Sequence, residues 1–327
     1  NIKNSIKKQM KTESCSGNPS NPLKKEKKKR RFLSSLLRKK KILLFLGLLF
    51  LPFLFNLILL YFFPLSLPPK FPPPKRGVRL MTFNIAHGRG VALFQFPLTK
   101  SRSQAILDKI AAMIKLEKPD IIALQEVDQN SWWNGRFNQA AYLAKKAGYP
   151  YYRIGLNCKG RGWFSLNYGN AILSRYPIAR SENNPFGPHK LGQKGFLFCE
   201  IQTPHYGLLP VVSIHLDYKT SKNRVLQAKQ VVNFFKKKKS LPFLMGDFNS
   251  NNTQGEGLTY ILNHLRYTKR EIYPQKGNTF SIYYLNKRLD HILVPPGWKG
   301  ISCSILSARL SDHLPVLVDV EPESRKN

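Results

Sequence analysis

The sequence predicts an α/β (α+β) domain built on a mixed sheet or on two packed sheets, preceded by one membrane-crossing helix. Three observations carry this reading. From residue 78 to residue 321, short strand-like apolar runs alternate with amphipathic helical stretches, some strands being separated by helices and others following one another as hairpins; a doubly wound parallel sheet does not show that mixture. An uncharged apolar run, Ile42 to Phe63, stands in front of these elements. Finally, one strand after another ends in Asn, Glu, His or Asp.

Residues 1 to 41 are polar and basic, with Lys24-Lys25-Glu26-Lys27-Lys28-Lys29-Arg30-Arg31 and Arg38-Lys39-Lys40-Lys41. Such a segment buries too little apolar surface to fold and is expected to be a disordered cytoplasmic tail. In Ile42 to Phe63 only Asn56 is polar, and a helix of that length covers about 33 Å, enough for the hydrocarbon core of a bilayer. A soluble core helix would keep a polar face, which this run lacks. A cleaved signal peptide has a shorter apolar region and a small-residue cleavage site, whereas Pro64-Leu65-Ser66-Leu67-Pro68-Pro69 follows here. Residues 42–63 therefore read as an uncleaved transmembrane helix. Many lysines and arginines stand just before it and few follow it closely (Lys70, Lys75, Arg76), which places the N-terminus in the cytoplasm and the remainder outside. Residues 64–77, rich in proline, read as a semi-rigid linker.

Strands are expected at Val78 to Phe83, Asp120 to Gln125, Tyr151 to Leu156, Asn170 to Ser174, Gly195 to Ile201, Leu208 to His215, Leu241 to Met245, Arg288 to Val294, Ser302 to Leu306 and Leu314 to Val320. Helices are expected at Ser101 to Lys115, Phe137 to Lys146, Ser221 to Phe235 and Gly257 to His264. The domain spans 78–321, and 322–327 is a polar tail. The formal charge of +35 favours anionic partners such as nucleic acid, acidic headgroups or small phosphates. The four cysteines, Cys15, Cys158, Cys199 and Cys303, have no Cys-x-x-Cys spacing, which disfavours a zinc site and a dense disulfide framework and leaves one bridge among the last three open.

Polar residues at the strand ends carry the chemistry: Asn84 with His87 close behind, Gln125-Glu126, His215-Leu216-Asp217, Asp247-Phe248-Asn249, Asp290-His291 and Asp312-His313. Asp247 and Asn249, one residue apart, are expected to leave the same face of the backbone. If these ends converge they make a carboxylate-rich pocket with two histidines, a donor set suited to magnesium or manganese rather than zinc. His87 and His205 taken singly read first as surface or capping residues, Asp217 as a turn residue or an outer support, and Arg224 and Gln227 either as reaching toward the site or, more simply, as one exposed helix face. Trp132, Trp133 and Phe137 read either as an apolar lip or as a satellite cluster under a loop.

The segments Met81-Thr82-Phe83-Asn84, Leu124-Gln125-Glu126, Gly169-Asn170-Ala171-Ile172-Leu173-Ser174, Ser213-Ile214-His215-Leu216, Gly246-Asp247-Phe248-Asn249, Arg288-Leu289-Asp290 and Ser311-Asp312-His313, in that order, resemble the endonuclease/exonuclease/phosphatase superfamily, which includes exonuclease III, pancreatic-type deoxyribonuclease and bacterial sphingomyelinase. The resemblance implies a four-layered α/β/β/α sandwich around two mixed β-sheets. It implies that Glu126 is the main metal ligand, with Asn84 beside it and Asp312 as a further carboxylate on the metal side. Asp247 resembles the group that orients or deprotonates the attacking water, Asn249 its phosphate-binding neighbour, and His313, paired with Asp290, the histidine at the scissile phosphate. His215 matches a histidine near the leaving group, and Asn170 and Asn84 are implied as phosphate contacts. His291 departs from the aromatic residue the family often carries after the aspartate. Asn84-Ile85-Ala86-His87-Gly88-Arg89-Gly90 is similar to a bacterial branch of the family, and to a domain of a eukaryotic lipid-anchor remodelling protein.

The function expected from this is a membrane-anchored phosphoesterase using Mg2+ or Mn2+ to hydrolyse phosphodiesters, either as a nuclease or as a sphingomyelinase-like phospholipid phosphodiesterase. The substrate would be its anionic partner, and no obligate protein partner is evident. The alternative from another class is a catalytically idle, membrane-tethered binding module for anionic polymers or lipids.

Overall fold

The computed structural model describes residues 22–62, 77–95, 99–187, 193–238, 241–250, 256–280 and 286–323. The expected tail over residues 1–21, most of the linker 64–77 and residues 324–327 lie outside the described residues. Two compact units divide the chain, residues 1–51 and residues 52–327.

Helix α1 runs Pro22–Phe62, so residues 22–41 are helical rather than disordered. Proline opens it where no backbone N–H is needed, and the lysines, arginines and leucines that follow are good helix formers. Within it, Leu36–Leu59 is long and apolar enough to cross a membrane.

Among the described residues, twelve strands form two six-stranded sheets. The first has the order β11 (Trp298–Ile305), β12 (Val316–Pro322), β1 (Val78–Asn84), β2 (Ile121–Asp128), β4 (Asn167–Ser174) and β3 (Tyr151–Lys159). The second runs β5 (Ile178–Pro185), β6 (Gly195–Thr203), β7 (Gly207–His215), β8 (Phe243–Asp247), β10 (Asp290–Leu293) and β9 (Ile272–Tyr273). Each sheet contains one parallel pair, β1 with β2 and β7 with β8, and its other pairs are antiparallel. Helices α2 (Lys100–Glu117) and α4 (Ser221–Lys236) make the two crossovers that parallel pairing requires.

Three apolar layers hold the sandwich together. Ile106, Ile110, Met113 and Leu143, from α2 and α3 (Gln139–Ala147), cover Met81, Phe83 and Ile122 of the first sheet. Val231, Phe235 and Ile261, from α4 and α5 (Gly257–His264), cover Phe198, Val212 and Leu244 of the second. Between the sheets, Leu80, Ala123 and Val318 meet Leu197, Val211 and Met245. This is the α/β/β/α sandwich with two mixed sheets. Strand β1 is buried along its whole length, as the uninterrupted apolar run of a two-faced strand requires.

Two strands were not legible in the sequence. Strand β5, Ile-Ala-Arg-Ser-Glu-Asn-Asn-Pro, lies at a sheet edge and is mostly solvent-facing, and β9 is two residues long. The three described cysteines are unpaired, so no bridge joins Cys158, Cys199 and Cys303.

Candidate active site

The site forms where the carboxyl ends of the two parallel pairs meet. Asn84 is the last residue of β1 and faces Gln125 across the pair; His215 and Asp247 are the last residues of β7 and β8 and stand in register; and Asp247 in turn faces Asp290, the first residue of β10. Gly246 precedes Asp247 with φ +153°, and a Cβ there would lie 1.9 Å from the Ile214 carbonyl oxygen. Only glycine lets β8 approach β7 so closely at that point.

Asp247 is the hub. Its Oδ2 accepts from Asn84 Nδ2 at 3.1 Å and stands 3.2 Å from His215 Nε2 and 3.6 Å from His313 Nε2. His313 Nδ1 is 2.7 Å from Asp290 Oδ2. Asp247, Asp290 and His313 thus bring ligand atoms within 4.8 Å of one another, all buried. Burial works against the Asp247 carboxylate, but His215 and His313 hold it far below the usual carboxylate range. Burial pushes Asp290 up to about 6, against the pull of His313 and with the help of Asp247. Burial also disfavours a charged His313, yet Asp290 and Asp247 outweigh it and hold the imidazole up at about 10. His215 is kept below its ordinary value by burial and by Lys194. A neutral His215 donates from Nε2 to Asp247 and accepts at Nδ1 from Lys194 Nζ, 3.4 Å away.

Glu126 sits on a bulge. Between Leu124 and Val127 the register of β2 against β4 slips, and Glu126 takes φ +54°. This left-handed turn re-aims the side chain from the strand's alternation, a common role for bulges beside active sites. Its carboxylate lies 3.1 Å from Lys194 Nζ, 3.3 Å from His87 Nε2 and 3.6 Å from Arg89. Burial opposes its charge, but Lys194, His87, His215 and Arg89 together keep it well below the usual carboxylate range. Asp312 joins this group through Arg89.

Asn249 departs from the expectation. It lies beyond the end of β8 with φ +48°, so its side chain does not continue the alternation with Asp247. Its backbone N–H donates to Asp247 Oδ1 and its Nδ2 donates to the Leu216 carbonyl. It is a turn that braces Asp247, and it lies beside it. Asn170 lies opposite the Glu126 bulge on β4. Its Nδ2 donates to the carbonyls of Gly195 and Ser213, and its Oδ1 is buried with no hydrogen-bond partner.

Asp217 caps the turn before α4, and Arg224, buried rather than on an exposed helix face, binds Glu256 in a two-point ion pair. Phe137 packs edge-on against Tyr142. His291 is buried edge-on to Phe248 and does not contribute a substrate-facing aromatic. His87, read first as a capping residue, belongs to the site: its ring stands between Glu126 and Asp128 at 3.3 Å from each. Asp128 is fully buried and also accepts from Ser131, Trp133 and Asn134. Sequence reasoning passed over Asp128, Arg89 and Lys194; the one signal pointing to Asp128 was its place two residues after Glu126 on the same strand. A separate cavity lined by Tyr206, Leu209, Phe243 and Trp298 opens at the opposite end of β7 and β8 and holds none of these groups.

The donors fit a hard divalent cation. Glu126 and Asp312 offer carboxylate oxygens, Asn84 an amide oxygen that here accepts from the Ala86 N–H, and the buried Asn170 Oδ1, with no hydrogen-bond partner, lies across the bulge. Lys194 and Arg89 occupy the carboxylate oxygens that such a cation would take.

Two mixed sheets with acid and histidine side chains converging at their strand ends define a phosphate-ester hydrolase fold. The chain belongs to the Endonuclease/Exonuclease/phosphatase family, whose model matches residues 81–313. It is 24% identical over 260 residues to the uncharacterised protein YbhP of Escherichia coli K12, covering 74% of this chain and 95% of that one. Among solved structures it is similar to a family member from Beutenbergia cavernae (TM-score 0.60, 22% identity, 76% of this chain and 72% of that one). A mannosyl-6-phosphatase of Bacteroides thetaiotaomicron (0.55, 18%, 75% and 99%) and the human Nocturnin catalytic domain (0.51, 18%, 76% and 95%) share the fold.

Proposed function

We propose that this chain is a membrane-anchored, divalent-metal-dependent phosphodiesterase whose catalytic domain lies outside the cytoplasm. The observation that carries the reading is the convergence of Asp247, Asp290 and His313 within one buried cluster, with His215 and Glu126 at its margins. The apolar stretch Leu36–Leu59 and the lysine and arginine excess before it support the anchor and its orientation.

Glu126, Asn84 and Asp312 would hold the cation, which when bound neutralises charge on the phosphate oxygens. Asp247 accepts a hydrogen bond from the attacking water and aligns it with the phosphorus. Its low proton affinity makes it chiefly an orienting group: as the new P–O bond forms and the bond to the leaving oxygen breaks, the proton it draws from the water passes on to the departing oxygen. His313, charged and held by Asp290, donates from Nε2 to a non-bridging oxygen. His215 faces the same space from β7, on the side assigned to the leaving oxygen, while the amide nitrogens of Asn170 and Asn249 are spent on backbone carbonyls and brace the site from behind.

The test is turnover of bis(p-nitrophenyl) phosphate by the full chain in detergent, with Mg2+, with Mn2+ and with chelator. Metal-dependent turnover that falls about 100-fold or more in Asp247→Ala is expected. Unchanged turnover by the variant, or no turnover across diesters, DNA, RNA and phospholipid vesicles, overturns the reading.

A further inference from the structure

Two surface segments bordering the site expose large apolar side chains. The first is the loop after Arg89, Val91-Ala92-Leu93-Phe94-Gln95, in which Leu93 and Phe94 are 43% and 42% exposed. The second is the tip of the β3–β4 hairpin, where Trp163 and Phe164 are 77% and 71% exposed. Exposed tryptophan and phenylalanine at a loop tip are costly in water and favourable at the boundary between headgroups and acyl chains.

Both segments are tied to the site. Arg89, which binds Asp312, also donates from Nε to the Ala92 carbonyl at 2.8 Å, so the first loop and the catalytic edge share one guanidinium. In the hairpin, Phe164 meets Trp132 edge-on at 5.3 Å and the Trp132 N–H donates to the Ser165 carbonyl. The next residue, Trp133, stands 5.0 Å from the His87 ring that flanks Glu126.

Within residues 52–327, the first loop is also fixed to the helix that enters the membrane. Asn56 Nδ2 donates to the Phe94 carbonyl at 2.8 Å, the Phe94 N–H donates to Asn56 Oδ1 at 3.1 Å, and the Phe55 and Phe94 rings meet edge-on. Asn56, the one polar residue of the apolar run, thereby satisfies both backbone groups of a loop residue, as irregular backbone at membrane depth requires. Phe62 ends the helix six positions later, a rise of about 9 Å, which is the depth reached by side chains that insert at the interface. The exposed basic residues Lys159 and Arg161 belong to the same hairpin tip, and the Arg136 guanidinium lies 4.9 Å over the Trp163 ring. An apolar tip collared by cations matches an anionic phospholipid leaflet.

We propose that Leu93, Phe94, Trp163 and Phe164 seat the mouth of the site on the outer leaflet of the bilayer that α1 enters, so that the phosphoester it receives is a phospholipid headgroup rather than a soluble polymer. This rests on the reading of the site as a phosphodiesterase and of α1 as a span.

The full chain, with Cys15 and Cys303 changed to serine, is reconstituted in nanodiscs of phosphatidylethanolamine and phosphatidylglycerol and carries a nitroxide at Phe164→Cys, Leu93→Cys or, as reference, the exposed Leu226→Cys of α4. Positions 164 and 93 should be accessible to oxygen and shielded from a water-soluble nickel chelate, and position 226 the reverse. In parallel, Trp163→Ala/Phe164→Ala should lower turnover of vesicle phosphatidylglycerol about tenfold and leave that of bis(p-nitrophenyl) phosphate within about twofold. Labels at 164 and 93 as open to nickel as that at 226, or vesicle turnover untouched by the double variant, overturns the seating. A chain that cleaves the soluble diester and no vesicle lipid overturns the substrate assignment. Failure on the soluble diester itself strikes the phosphodiesterase reading, while the nitroxide depths still report the seating.

Discussion

His313 and Asp290 form a buried pair, Nδ1 to Oδ2 at 2.7 Å, that leaves His313 Nε2 pointed at the space beside Asp247. Asp290 therefore sets both the charge and the direction of the imidazole. Asp290→Asn keeps the volume but replaces a charged acceptor with an amide, so the ring loses its reason to carry two protons. We expect kcat on a soluble diester to fall about 10²- to 10⁴-fold with KM changed little. Steady-state kinetics measure this directly, and a loss of less than about threefold would contradict the role assigned to the pair.

Far from the site, Arg79 and Asp319 make a different kind of pair. Arg79 Nε and Nη2 reach the two carboxylate oxygens at 2.7 and 2.9 Å, Nη1 donates to the Glu117 carbonyl at 3.0 Å, and Ser302 Oγ donates to Asp319 at 2.8 Å. The arrangement fastens β1 to β12 and to the end of α2. Asp319→Ala strands a guanidinium in a buried place and should cost about 3–5 kcal/mol, whereas Arg79→Met/Asp319→Leu removes both charges and should recover most of that. Urea unfolding of the full chain in mild detergent gives the numbers. A double variant no better than the single one would show that the loss comes from packing rather than from the orphaned charge.

His291 gives the fold a pH dependence with a defined sign. Burial lowers its pKa to about 4, below the unfolded value of about 6.5. The unfolded chain therefore takes up a proton first as pH falls, and the stability His291 contributes is complete above about 6.5 and lost toward 4, to a total of about 3 kcal/mol. Asp290, raised to about 6, acts in the opposite sense over much of that range. The comparison must accordingly be made against His291→Phe, which leaves Asp290 in place. The variant should gain on the wild type by about 3 kcal/mol between pH 6.5 and pH 4 in urea titrations. Parallel curves for the two chains would refute a neutral, buried His291.

Most of the side chains that converge at the candidate site were legible because their chemistry and their position coincide. Asn84, Glu126, His215, Asp247, Asp290 and His313 are polar residues that end or interrupt apolar strands, and a strand end is where a sheet presents a side chain to a cleft. The strands themselves were legible where burial on one or both faces imposes an apolar pattern, and β5 was not, because an edge strand with a wet face needs none. Lys194 and Arg89 escaped because nothing local distinguishes them from the many other cations of a strongly basic chain; only the fold brings them to Glu126. Asp128 and Asp217 are alike in sequence, each an aspartate at a strand end. One became a buried hub for His87 and Trp133, the other a turn cap, and the difference lies in what packs over them. Asn249 was misplaced because period-two alternation ends with β8 and the left-handed turn begins two residues later.

The same crowding of cations at Glu126 makes a prediction about metal affinity. Glu126 is ionised and faces Lys194 at 3.1 Å and Arg89 at 3.6 Å, so a divalent cation entering there must displace at least one resident charge. Removing the carboxylate and removing its resident partner should then act in opposite directions. Glu126→Gln is expected to weaken Mg2+ or Mn2+ binding about tenfold or more, since the cation loses its principal anionic ligand. Lys194→Met, similar in length but uncharged, is expected to strengthen binding, because the competing ammonium is gone and Glu126 is left without its nearest partner. Because Lys194 and Glu126 are only slightly exposed, salt screens their local interaction little, and the strengthening should persist at physiological ionic strength. Titration calorimetry on the full chain in detergent reads both changes without relying on turnover. If Lys194→Met weakens binding as Glu126→Gln does, Lys194 supports the metal site instead of competing for it.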